Sequence, residues 1–110
     1  MITFINDIEN ITAKYGLKLS SLDVTDCTLM ARIDIIPPVF IQVYLNMNKK
    51  KRNMTLVFGN HRIYGVDSEG GIPHEHPAED PQSHISMDSP PTLEAFIIKC
   101  LGLLQQKDIL

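Results

Sequence analysis

A chain of 110 residues that is 44% hydrophobic and carries a formal charge of −3 has enough apolar material for one core and is short for two. Its two cysteines, Cys27 and Cys100, are far apart and set in apolar surroundings, which argues against a disulfide scaffold or a cysteine zinc ribbon and fits a reducing interior. The first residues, Met1 to Asp7, lack a basic region followed by an apolar run, and no stretch reaches the roughly 18 apolar residues of a membrane span, so a cytoplasmic protein with no membrane partner is expected.

In chain order, Phe4, Ile5, Ile8, Ile11 and Tyr15 recur at three- and four-residue intervals and are followed by Gly16, the pattern of an amphipathic helix over 3–15 with a glycine beyond its end. Leu17, Leu19 and Leu22 suggest a short extended segment. From Thr28 to Ile36 the residues alternate, with Leu29, Ala31, Ile33 and Ile35 on one face and Met30, Arg32 and Asp34 on the other. Pro37-Pro38 interrupts the pattern, and Val39, Ile41, Val43 and Leu45 resume it opposite Phe40, Gln42, Tyr44 and Asn46.

Residues 48–53 read as a polar tip, 54–58 as a strand, Gly59-Asn60 as a tight hairpin turn and 61–66 as the returning strand. From Asp67 to Ser89 no period appears, and a connection of that length is expected to be functional or disordered, with Ile72, Ile85 and Met87 available to pin it down. Pro90-Pro91 then precedes Leu93, Phe96, Ile97, Cys100, Leu101 and Leu104, an amphipathic helix with Ser89 or Thr92 as its cap. The expected fold is α+β in one domain over 1–110: a helix, an antiparallel meander of four to five strands, a long histidine-, proline- and glycine-rich loop over 67–89, and a C-terminal helix packed on the sheet.

All four histidines, His61, His74, His76 and His84, fall in the second half of that meander and in the loop, and imidazole is the side chain that most readily exchanges a proton or binds a metal near neutral pH. His74 and His76 are framed by Pro73 and Pro77, and in an extended segment they point to the same side. Three readings stay open. The pair could join Asp67, His61 or His84 in an open zinc site. It could instead do metal-free acid–base work, one imidazole taking a proton from a hydroxyl and another protonating the leaving oxygen, with Asp67 orienting an imidazole and Arg62 holding a phosphate. Or the histidines could be solvated and bonded to backbone carbonyls, with Asp67-Ser68 before Gly70-Gly71 forming a simple turn.

Lys49, Lys50, Lys51 and Arg52 hold four of the ten basic residues, a run that reads either as a solvated hairpin turn or as a contact for an anion such as RNA. The chain has no glycine-rich phosphate loop, GxSxG elbow or paired CxxC.

The segment Arg62-Ile-Tyr-Gly-Val-Asp-Ser-Glu-Gly-Gly-Ile-Pro-His-Glu-His-Pro, with the later Pro-Thr-Leu-Glu of 91–94, resembles the TumE-like toxins of prokaryotic toxin–antitoxin pairs. Tyr64 and Asp67 match that family's strand-end motif, His74 and His76 its His-x-His pair, and Pro91 to Glu94 its helix start, while Ser68 stands where the family usually has asparagine. The resemblance implies a cytoplasmic toxin neutralised by a cognate antitoxin, often a helix-turn-helix DNA-binding protein, and an RNA-directed activity. On this basis Tyr64, Asp67, His74 and His76 are the expected catalytic surface, and Arg62 with Lys49, Lys50, Lys51 and Arg52 the expected substrate contacts. No cofactor or resident metal is expected, and a homo-oligomer is left open. The competing reading is a binding module that docks a protein through the acidic histidine loop without catalysis.

Overall fold

The computed structural model describes residues 1–69, 72–80 and 85–110. The fold is α+β, with α1 (Ile2–Lys14) and α2 (Leu93–Gln106) packed on a single antiparallel sheet. Its strands are β1 (Lys18–Val24), β2 (Thr28–Ile36), β3 (Val39–Asn46), β4 (Lys51–Phe58), β5 (His61–Glu69), β6 (Ile72–His76) and β7 (Ile85–Ser86), and they lie side by side in chain order.

The alternation expected of β2 and β3 is what holds the helices to the sheet. Leu29, Ala31 and Ile33 are fully buried opposite Leu45, Val43 and Ile41, and Met54 and Leu56 of β4 with Tyr64 and Val66 of β5 extend the same apolar face. Against it α1 sets Ile8, and α2 sets Leu93, Phe96, Ile97, Cys100 and Leu104, all in one continuous core. Phe96 is its largest fully buried side chain and stacks on Tyr64 with ring centroids 5.5 Å apart. Such a ring contributes about 1.5–3 kcal/mol through burial alone.

Local signals set the ends of the elements. Tyr15 caps α1 and Gly16 follows at φ +67, a conformation glycine takes without steric cost, while Leu17 donates back to the Thr12 carbonyl at 2.9 Å. Thr92, rather than Ser89, caps α2: its hydroxyl accepts from the Ala95 amide. The Pro37-Pro38 peptide is cis in the β2–β3 turn. The two helices are clasped where they meet, since Lys14 Nζ and Tyr15 Oη both donate to Glu94 Oε2 at 2.6 Å.

Two expectations need correction. The polar tip is shorter than 48–53, because β4 begins at Lys51, and the connection from Asp67 to Ser89 is not structureless. Asp67 and Ser68 continue β5 instead of turning, and 72–76 and 85–86 add two further strands, making a seven-stranded sheet. Pro73 lies opposite Ser68 in the register, and its carbonyl accepts from the Met87 amide at 3.1 Å. Of the three apolar residues expected to pin this segment, Met87 packs against the core, whereas Ile72 and Ile85 are exposed. Gly70, Gly71 and His84 lie outside the described residues.

Candidate active site on the open face of the sheet

The helices cover one face of the sheet, and side-chain alternation sends every second residue to the other. Register across the strands places Met30, Tyr44, Asn53, Asp67, His74 and Ser86 on one rung of that open face, running from β2 to β7. The neighbouring rung carries Arg32, Gln42, Thr55, Gly65 and His76. Directly opposed side chains in antiparallel strands have Cβ atoms about 4.5–5.5 Å apart, so the rung joins residues separated by up to half the chain.

His74 and His76 share the open face, as their spacing predicts, and Asp67 joins them. His76 Nε2 lies 2.7 Å from Asp67 Oδ2; a carboxylate can only accept, so Nε2 carries the hydrogen. The two partners differ in access. The His76 side chain is 2% exposed and that of Asp67 34%, so the imidazole sits behind the carboxylate and aims it outward. His74, paired with Asp67 in the register, is half-buried.

A bulge on β5 sorts the remaining residues. Arg62 pairs with Val57 and Tyr64 with Leu56, so the extra residue Ile63 breaks the alternation: Arg62 takes the open face and Tyr64 the core. The Arg62 stem runs over Gly65, where an added Cβ would come within 3.5 Å of Arg62 Cδ and 3.3 Å of the Met54 carbonyl oxygen. A side chain at 65 would thus press on the Met54 carbonyl and lie in contact with the Arg62 stem.

Tyr64 therefore does not join the histidines. It is buried, and its hydroxyl donates to Glu75 Oε2 at 2.6 Å in a second, smaller cleft of about 90 Å³ between the sheet and α2, which also contains Lys99 and Glu79. Burial first, and then the bond to Glu75, pushes the Tyr64 phenol well above its ordinary value. Glu75 reads in the sequence as a spacer between two histidines; alternation within β6 puts it on the opposite face from both.

The basic run is divided by the same geometry. Lys49 and Lys50 are exposed at the β3–β4 tip, where Asn46 Oδ1 accepts from the Lys49 amide, and Lys51 turns to the open face. Arg52 faces the helices: its Nη2 donates to the Pro91 carbonyl at 3.2 Å, its guanidinium lies 5.3 Å from the Phe4 ring centroid, and its buried Nε meets no acceptor among the described residues. Burial lowers the Arg52 pKa from its usual value. Arg52 is thus held in a structural contact between β4 and the segment that leads into α2.

On the open face, next to Asp67 in the register, lies a cleft of about 400 Å³ lined by Met30, Gln42, Tyr44, Lys51, Asn53 and Thr55. Tyr44 was legible as an open-face residue; Asn53 was hidden by its assignment to the tip. His61 stands exposed at the start of β5, after the turn at Gly59 with φ +62, and does not approach the pair on β6 in the register. Among the described residues no three His, Cys, Asp or Glu side chains converge as a metal-binding group, and no helix is long and apolar enough to cross a membrane. No family model, curated protein or solved structure matches the chain.

Proposed function

We propose that this chain is a TumE-like toxin component that acts on RNA through acid–base chemistry on the open face of the sheet. The observation that carries this reading is the 2.7 Å pair of a buried imidazole and a half-exposed carboxylate, His76 and Asp67, directly beside His74 in the register. A general base must be held within hydrogen-bond reach of the proton it removes, and a fixed neighbour reduces the cost of holding it.

In this reading Asp67 and His74 are the groups that meet the substrate. One takes the proton of a ribose 2′-hydroxyl, whose oxygen attacks the adjoining phosphorus; the other gives a proton to the departing 5′-oxygen, leaving a cyclic phosphate on one product and a hydroxyl on the other. His76, being buried, is a positioning residue that orients Asp67. Arg62 and Lys51, which share this face, supply positive charge for the phosphate, and Lys49 and Lys50 extend that field at the tip. Tyr64 and Arg52 have structural roles on the other face. The partner of this reading is a cognate helix-turn-helix antitoxin, and the setting is the cytoplasm.

Expression of the chain without a partner tests the reading: growth should slow, and His74→Ala should restore it while the purified variant keeps its melting temperature. Undiminished toxicity of a folded His74→Ala protein would remove His74 from the chemistry. The second reading, a non-catalytic binding module, is favoured by the acidic composition of the segment that carries Asp67, Glu75, Glu79 and Asp80, which suits a basic partner. It predicts that toxicity, if present, survives loss of His74.

A further inference from the structure

We infer that the cleft on the open sheet face is a nucleobase subsite, built to seat one base next to the acid–base group. This rests on the RNA reading for its biological role, but the observations that carry it are separate. The cleft is about 400 Å³, within the roughly 300–1,000 Å³ of small-ligand sites, and its residues alternate with the core residues of β2, β3 and β4.

Its parts match the chemistry of a base. Tyr44 offers an aromatic wall, and its hydroxyl accepts from Asn46 Nδ2 at 3.2 Å; Met30, its register partner, is the soft apolar neighbour on β2. Stacking on such a ring is the sequence-tolerant component of single-strand recognition. Asn53 lies next on the rung, and its Oδ1 is withdrawn from solvent with no hydrogen-bond partner among the described residues. An amide oxygen in that state is a standing cost, and rotation about χ2, which is soft in asparagine, would turn the carboxamide into the cleft. There it meets a donor beside an acceptor, the pattern that the Watson–Crick edge of a base presents. Lys51, two residues before Asn53 on the same strand face, is placed for the phosphate. Asp67 follows Asn53 on the rung, so a nucleotide in the cleft brings its ribose toward the proposed acid–base group.

The test is titration of the full chain, labelled with nitrogen-15, with adenosine, cytidine, guanosine and uridine 5′-monophosphates and with ribose 5-phosphate as the probe that lacks a base. Nucleotides should shift the amides of β3 and β4 around Tyr44 and Asn53 and bind at least tenfold more tightly than ribose 5-phosphate. Tyr44→Ala should weaken nucleotide binding about tenfold and Asn53→Ala at least threefold, with Tyr44→Phe close to the parent and ribose 5-phosphate affinity unchanged throughout. Equal affinity for ribose 5-phosphate, shifts located elsewhere, or no binding would overturn the subsite. The two ideas fail separately. RNA cleavage that depends on His74 without nucleotide binding in the cleft would sink the subsite and leave the RNA reading standing. Base-dependent binding without cleavage would do the reverse.

Discussion

His76 is almost entirely enclosed, yet its Nε2 reaches Asp67 Oδ2, a carboxylate with a third of its side-chain surface still in solvent. A buried ring nitrogen that loses its acceptor is left with an unmet hydrogen bond, a loss of about 1–3 kcal/mol. Asp67→Ala should therefore destabilise the protein by about that amount in urea denaturation. Asp67→Asn, whose Oδ1 can still accept, should keep most of the stability. Equal losses in the two variants would show that the contact does not hold the imidazole.

Arg52 and Lys51 are neighbours in sequence on opposite faces of β4, so their removal should have unlike consequences. Arg52→Ala removes the bond to Pro91 and the packing against Phe4, and should cost about 1–3 kcal/mol of folding stability. Lys51→Ala should stay within about 0.5 kcal/mol. Paired denaturation curves decide it, and a greater loss at Lys51 would contradict the division of the basic run.

Tyr64 is held neutral by burial and by its bond to Glu75, so its phenol ionises well above the ordinary value of 10.0. The favourable interaction is fully present below pH 10 and is lost as pH rises through the folded-state value, so alkaline conditions should loosen the contact between β5 and α2. Ultraviolet titration of the native protein should show a late-ionising phenol that disappears in Tyr64→Phe. Full ionisation of all three tyrosines near pH 10 would refute the buried arrangement.

Glu94 joins the two helices, and its bonds from Lys14 and Tyr15 hold its carboxyl below the usual value of 4.5. Its contribution is present above that value and fades as pH falls through the lower folded-state one. Glu94→Gln should lower the melting temperature slightly at pH 7, and the gap between variant and parent should close in acid. A gap that persists at pH 2 would mean the charge on Glu94 is irrelevant to the clasp.

Much of the fold was readable because period-2 alternation in β2 and β3 and the three- and four-residue spacing in both helices are strong physical signals. The site is only partly readable, and the reason lies at the end of β5, where the apolar alternation stops before the strand does. With the strand ending at Val66, Tyr64 and Asp67 count as one strand-end pair; once β5 runs to Glu69, residues three apart lie on opposite faces, and the pair separates. The Ile63 bulge had no marker in the residues themselves, since it is a matter of pairing with Val57 and Leu56. Similarly, β6 is too short and too polar to show a period, and its partnership with β5 is what gives His74, Glu75 and His76 their directions. The same-side placement of His74 and His76 needed only an extended backbone, and that much the flanking prolines indicated.

Whether Asp67 and His74 cut RNA through its own 2′-hydroxyl is measured directly by product analysis with a short RNA and its copy bearing 2′-deoxyribose throughout, in the presence of a chelator. Cleavage of the RNA alone, giving 2′,3′-cyclic phosphate ends and falling at least about a hundredfold in a folded His74→Ala protein, is the result expected of a positioned acid or base. Cleavage of both strands, ends lacking the cyclic phosphate, or a His74→Ala protein as active as the parent would contradict it.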